Sequence, residues 1–231
     1  MAELFGQKFN RLAIFYHLAD LKYLVEKQEI PSRVIYRLSI YNRCLKRLLE
    51  TNKETIRSEG LATMANVKPS QLRKDLSYIG QVGTRGLGYT VDLLSKAIHD
   101  VIGRKHLQKV ILVGAGNLGR ALLRYDGFLK EGFEVVAAFD KQPEEVKRSG
   151  LPCPVYSDED MVGFIDEEDI RMAILCVPGE HGQQVTNELI EAGIHGILNF
   201  SPVVLKVPEE IMVNNVDLAV ELENLSYFVT K

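Results

Sequence analysis

Three features of the sequence predict an α/β protein built in two parts. Residues 109–140 carry two apolar runs, Val110–Val113 and Val135–Phe139, separated by Gly114-Ala-Gly116-Asn-Leu-Gly119 and a helical pattern and closed by Asp140. Charge is divided along the chain: residues 31–90 hold 11 Lys+Arg against 4 Asp+Glu, net +7, and residues 91–231 hold 13 against 23, net −10. Inside the basic block, short helical patterns joined by a tight turn precede a glycine-rich stretch. Together these predict an N-terminal winged helix-turn-helix domain over 31–90, a C-terminal Rossmann domain over 91–215 and a terminal helix over 216–231.

The first 30 residues balance at 4 Lys+Arg against 4 Asp+Glu, and Leu12, Ile14, Phe15, Leu18, Leu21, Leu24 and Val25 give them helical character. They form either an extra helix or an extension read from an upstream start. Pro31-Ser32 opens the next helix, with Ser32 as its N-cap. Val34, Ile35, Leu38, Tyr41, Leu45, Leu48 and Leu49 recur at helical spacing along it, while Arg33, Arg37, Arg43, Lys46 and Arg47 fill much of the rest. Thr51–Thr55 is a polar connection. A second short helix starts at Ser58, its expected cap, and buries Leu61, Ala62 and Met64.

Asn66–Lys68 make a turn, and Pro69 suits the first position of a third helix, PSQLRKDLSYIG. Leu72, Leu76 and Ile79 hold that helix to the core, which leaves Ser70, Gln71, Arg73, Lys74 and Ser77 to face a nucleic-acid groove. Four glycines between Gly80 and Gly88 exclude a stable helix. They suit a tight hairpin with Arg85 at its tip, a wing whose guanidinium is attracted into a minor groove. A phosphate-binding loop is the other reading of this stretch, but it lacks a GK[ST] ending. The excess of basic residues fits a polyanion partner or, more simply, a solvated basic face.

The glycine motif is read in its βαβ setting. Gly114 permits the tight turn, Gly116 lets the backbone approach a pyrophosphate, and Gly119 lets the helix pack on the strand. The backbone of Gly114, Ala115, Gly116, Asn117, Leu118 and Gly119 then presents a helix start to phosphates. Asp140 falls 21 residues after Gly119, placed to accept bonds from ribose hydroxyls and to repel a 2′-phosphate, so NAD(H) is expected over NADP(H). Further strands are expected near Pro154–Tyr156, over Arg171–Val177 and from His195. Ligands of doubly wound sheets lie at the carboxyl ends of strands. Val177 and Pro178 are therefore cofactor-side candidates, and Asn199 and Phe200 fall near a nicotinamide. Plain core packing is the other reading for Phe200.

Several classes are excluded. An apolar fraction of 46% supports a true core, and no stretch approaches a membrane span. The start lacks a signal-peptide cleavage pattern, so a cytoplasmic protein is expected. Cys44, Cys153 and Cys176 lie far apart with no CxxC or Cys/His cluster, which reads as core thiols rather than a metal site or disulfide framework. A dehydrogenase would need an acid/base with a substrate anchor beside the nicotinamide. Of five histidines only His181 lies near a cofactor-side loop, and the 141 residues from 91 leave no room for a substrate domain. A non-catalytic regulator is expected; a dehydrogenase and a CoA- or nucleotide-binding regulatory subunit are the competing classes.

Arg73-Lys-Asp-Leu-Ser-Tyr-Ile-Gly, Gly83-Thr-Arg-Gly-Leu-Gly-Tyr89, GAGNLG with Phe139-Asp140, and Gly196-Ile-Leu-Asn-Phe-Ser-Pro202 together resemble, in order and spacing, the Rex family of bacterial redox-sensing repressors. The likeness runs from about Pro31 to Phe228. It implies a homodimeric repressor whose winged helix binds a double-stranded operator, and whose Rossmann domain reads the NADH/NAD⁺ ratio and lets go of DNA when NADH binds. The last helix has an apolar stripe of Leu218, Leu222, Leu225 and Phe228 or Val229, which ordinarily means docking on its own domain; the resemblance implies instead that it is exchanged between protomers, and that Arg43, Tyr89 and Asp217 form a polar switch. Val82, Arg57 and Gly60 depart from the family pattern; Gly60 costs the second helix up to about 1 kcal/mol relative to Ala.

Overall fold

A computed structural model describes residues 30–80, 82–83, 88–102, 107–148 and 150–229. The expectations for the N-terminal extension and for Arg85 at the wing tip fall outside the described residues. The chain divides into two compact units, one ending after Ile102 and the other beginning near Gln108.

In the first unit, α1 (Ser32–Glu50) buries Val34, Leu38, Tyr41, Cys44 and Leu45 together with Asn42; of the rest of the predicted stripe, Ile35 and Leu48 are half-buried and Leu49 is exposed. The N-cap position falls on Pro31, not Ser32, and no side chain caps the helix. Helix α2 (Ser58–Met64) likewise begins at Ser58 itself, after Arg57. It buries Leu61 and Ala62 while Met64 stays exposed. Helix α3 (Pro69–Leu76) starts with Pro at its first turn and ends in a 3₁₀ turn, Ser77–Ile79. Leu72 and Leu76 enter the core, and Ile79 packs against it.

The described strand of the glycine stretch, β2 (Tyr89–Thr90), pairs antiparallel with β1 (Thr55–Ile56). Tyr89-Thr90 are thus tied to the segment between α1 and α2, which is more than the polar connection that the sequence predicts. Helix α4 (Val91–Ile102) packs Val91, Leu94 and Ile98 into the same core as α1 and α3. A domain boundary at residue 91 is therefore too early: α4 gives its apolar face to the first unit.

The second unit holds β3 (Gln108–Val113), α5 (Asn117–Leu123), α6 (Gly127–Lys130), β4 (Phe133–Asp140), α7 (Pro143–Lys147), β5 (Val155–Ser157) and α8 (Met161–Glu167). It continues through β6 (Met172–Leu175), α9 (Gly179–Glu191), β7 (Gly196–Asn199), β8 (Met212–Asn215) and α10 (Leu218–Val229). The six strands run parallel in the order β5-β4-β3-β6-β7-β8. The strand order is that of a Rossmann sheet, with β3 and β6 as the central pair. Residues Val110–Val113 of β3 are all buried because helices cover both faces, which explains the unbroken apolar run. Chain progression reverses between β3 and β6, so the loops after their carboxyl ends diverge and open a crevice.

Candidate functional site

The crevice is real: a cleft of about 300 Å³ is lined by Val113, Gly114, Phe139, Asp140, Lys141, Gln142, Asp158, Met161, Val177, Pro178, His181, Val185 and Glu188. The ends of β3, β4 and β6 all contribute, as the switch-point rule requires. Four sequence-predicted residues meet here, namely Gly114, Asp140, Val177 and Pro178. Lys141, Gln142, Asp158, Met161, Val185 and Glu188 escaped sequence reasoning because only the sheet brings them together.

Two glycines are demanded by their surroundings. Gly114 has φ of +92°, and a Cβ there would lie 2.7 Å from the backbone of Cys176. A Cβ on Gly119 would collide with the Gly114 carbonyl and press on Leu112, so only glycine lets α5 approach β3 this closely. Gly116 faces open space. Gly116, Asn117 and Leu118 are exposed. The amides of Asn117, Leu118 and Gly119 open a helix and have no partner within it. Ala115 is different: it is buried, and its N–H donates to Asp140 Oδ2 at 2.8 Å. Asp140 Oδ1 accepts from the Gln142 N–H at 2.9 Å. The acid at the strand end thus holds the glycine loop. A carboxylate has about four acceptor positions, so about two remain to receive ribose hydroxyls.

Asn199 and Phe200 do not line the cleft. Asn199 is 2% exposed and every polar atom of its side chain is engaged. Its Nδ2 donates to Val203 O and Asn215 Oδ1, and its Oδ1 accepts from the Ser201 N–H. Ser201 Oγ in turn donates to Val177 O at 2.7 Å. Asn199 therefore braces the loop carrying Val177 and Pro178 rather than offering a polar atom to a ligand. Phe200 is half-buried and packs against the core that includes Val110 and Leu112 of β3 and Ala138 of β4. Burial pushes the Cys176 thiol up to about 12 and raises those of Cys44 and Cys153, which keeps all three protonated.

On the first unit, α3 exposes Ser70, Arg73, Lys74 and Ser77 on one side. Ser77 Oγ donates to Lys74 O at 2.7 Å. Arg73 Nη1 donates to Ser58 Oγ at 3.1 Å and Glu59 Oε1 at 3.4 Å. Both partners of the ion pair are more than half exposed. Solvent screens such a pair, so a nucleic acid can displace it readily. Gln71 departs from expectation, because its Nε2 turns inward to donate to Asp75 Oδ1 at 2.8 Å. Arg37 does so as well: instead of joining a solvated basic face, it clasps Asp75 from Nε at 2.6 Å and Nη2 at 2.7 Å. Burial alone would raise the Asp75 carboxyl; bonds from Arg37, Tyr41 and Gln71 outweigh it and hold the group below the usual carboxylate range.

Of the three residues that the family resemblance implies as a switch, Arg43 is exposed on α1 and Tyr89 is half-buried in β2. Burial raises the Tyr89 phenol, with Arg73 opposing the shift. Asp217 Oδ1 accepts from the N–H groups of Ala219 and Val220 at 2.9 and 3.2 Å, so it caps α10. Among the described residues there is no group of three or more His, Cys, Asp or Glu able to hold a metal. Nor is any helix among them long and apolar enough to cross a membrane.

Family models divide the chain in the same way. The model described as "CoA binding domain" matches residues 105–203, and "Putative DNA-binding protein N-terminus" matches 29–77. Redox-sensing transcriptional repressor Rex 1 of Thermotoga maritima is 39% identical over 88% of this chain and 98% of its own length. Its counterpart in Limosilactobacillus reuteri is 41% identical over 87% and 94%. Among solved structures, RSP in complex with β-NAD⁺ and operator DNA superposes with a TM-score of 0.80 at 34% identity, covering 87% of this chain and 93% of that one. RSP in complex with β-NADH gives 0.74 at 34% identity, covering 87% and 94%. With a reading helix, a switch-point cleft and relatives this similar over almost their whole length, the chain belongs to the Rex family of redox-sensing transcriptional repressors.

Proposed function

We propose that this chain is a homodimeric repressor that binds a near-palindromic operator and releases it when NADH occupies the switch-point cleft. The observation that carries the reading is the joining, in one chain, of an exposed basic face on α3 with a cleft at the switch point of the sheet, lined by Gly114 and Asp140. RSP, its structural relative, has been solved with operator DNA and β-NAD⁺ and with β-NADH. Ser70, Arg73, Lys74 and Ser77 meet the groove, with Arg85 as the wing contact. The open amides of Asn117, Leu118 and Gly119 meet the pyrophosphate, Asp140 meets a ribose, and Val177 and Pro178 wall the pocket. The chain is a regulator, not an enzyme, in keeping with the Thermotoga maritima and Syntrophobacter fumaroxidans relatives, which are named as repressors. The reading places it in the cytoplasm.

Dimerisation is supported by α10, which has no buried residue in the single chain. Leu218, Leu222, Leu225 and Phe228 are 60%, 67%, 60% and 71% exposed. Isolated helices of about a dozen residues are marginal in water, and this stripe calls for a covering surface; exchange with a second copy supplies one. Arg43, Tyr89 and Asp217 are the proposed switch, biased by which ligand is bound. The direct test is titration of an operator selected from a random duplex library with NAD⁺ and NADH added separately. NADH must weaken operator binding, and NAD⁺ must do so less or not at all.

A further inference from the structure

Asp75 occupies a place that an amphipathic helix ordinarily gives to leucine. It lies with Leu72 and Leu76 on the buried face of α3 and is 0% exposed. Its acceptor positions are filled. Oδ1 takes bonds from Arg37 Nη2 at 2.7 Å and Gln71 Nε2 at 2.8 Å; Oδ2 takes bonds from Arg37 Nε at 2.6 Å and Tyr41 OH at 2.7 Å. Tyr41 is itself 0% exposed, and the Arg37 side chain is 24% exposed. The cluster joins α1 to the reading helix.

A buried ion pair of this kind gives little net stability, since well-packed apolar groups of similar volume are often as good or better. What it gives that leucine cannot is direction. A bidentate guanidinium–carboxylate fork accepts one planar arrangement, so it locks the rotation of α3 about its own axis. At about 100° per residue, Arg73 lies about 160° from Asp75 around the helix, and Ser70 about 140°. The anchored face and the reading face are thus opposite sides of one short rod. A side-chain tip roughly 9 Å from the axis moves about 2 Å when the helix turns by about 15°. A hydrogen bond tolerates only about half an ångström.

We propose that Asp75, held by Arg37 and Tyr41, is a positioning residue for sequence recognition: it sets the rotation of α3 and thereby the discrimination between operator and other duplexes. The inference rests on the reading that α3 enters the operator groove. Because it is 0% exposed, Asp75 acts through the exposed face of the helix, Arg73 and Ser70 among it.

The experiment compares the parent with the apolar triple variant R37M/Y41F/D75L and with Tyr41→Phe alone. The probes are the duplex enriched by the parent from a random library and a scrambled duplex of equal composition, and NADH affinity is measured by calorimetry. The triple variant should melt within a few degrees of the parent and bind NADH and scrambled duplex within about twofold. Its preference for the enriched duplex should fall at least tenfold, with a severalfold fall for Tyr41→Phe. A folded triple variant that keeps the parent's preference overturns the proposal. If the triple variant fails to fold, Tyr41→Phe decides: undiminished preference overturns the positioning role, and a severalfold loss at unchanged NADH affinity supports it. A parent that does not prefer any duplex would instead refute the underlying reading of α3.

Discussion

Replacing Asp140 by Asn tests the cofactor reading at one atom. The carboxylate already accepts from Ala115 and Gln142, leaving about two acceptor positions for a ribose. The amide keeps one acceptor oxygen and turns the other into a donor, so at least one charge-assisted bond to NADH is lost. That is worth about 1.5–3 kcal/mol, a weakening of roughly 10- to 150-fold. NADPH serves as the internal control. Loosening of the glycine loop through the Ala115 bond harms both cofactors alike, whereas only NADPH gains from removal of a negative charge. At about 5 Å and an effective dielectric near 20, one charge pair amounts to about 3 kcal/mol before solvent screening. NADPH should therefore lose little or gain, and the NADH/NADPH preference should narrow by at least about tenfold in calorimetric titrations of parent and variant. Equal losses for the two cofactors would refute the ribose role and leave Asp140 as a loop brace only.

Other outcomes follow from the same geometry. Arg73→Ala should cost operator binding about 1–3 kcal/mol and relax one base position, as read by selection from a random duplex library. An unchanged binding motif would remove Arg73 from the reading face. Because the Asp75 carboxyl is depressed in the folded state, its stabilising contribution is complete above its unfolded value of about 3.9 and is lost as pH falls through the lower folded value. Below about pH 4 the first unit should therefore lose stability more steeply than it does in R37M/Y41F/D75L, as followed by circular dichroism. Asp217→Asn keeps an oxygen for capping α10 but removes the charge. It should blunt the effect of NADH on operator binding while leaving each ligand's own affinity near that of the parent; an intact response would clear Asp217 of the switch. Asp217→Ala is the poorer probe, since loss of the cap alone costs about 1 kcal/mol.

What was legible in the sequence was chiefly local. The Gly114–Gly119 motif, the apolar run of β3 and the acid at Asp140 lie close together, and each has one physical explanation. So do the helix periods of α1 and α3 and the proline that opens α3. What escaped depends on long-range packing. Nothing near Thr55-Ile56 announces a strand, because a two-residue strand exists only through its partner Tyr89-Thr90. The stripe Val91, Leu94, Ile98 marks a helix, but not which of two cores receives it. Charge was the most misleading signal. Arg37 reads as solvent-facing and is joined to Asp75 inside the first unit, while Asn199 and Gln71 read as ligand contacts and are engaged by their own neighbours. Polar groups placed inside a core carry no periodic signature; only the partners that satisfy them reveal the arrangement.

If one chain couples a nucleotide cleft to a DNA-reading helix, the coupling is reciprocal: the factor by which saturating NADH weakens operator binding must equal the factor by which saturating operator weakens NADH binding. Both can be measured on the full-length protein at one salt concentration, with the duplex that the parent selects. Equal factors well above one are expected for NADH and a smaller factor for NAD⁺. NADH affinity that is identical with and without saturating operator would contradict the coupling.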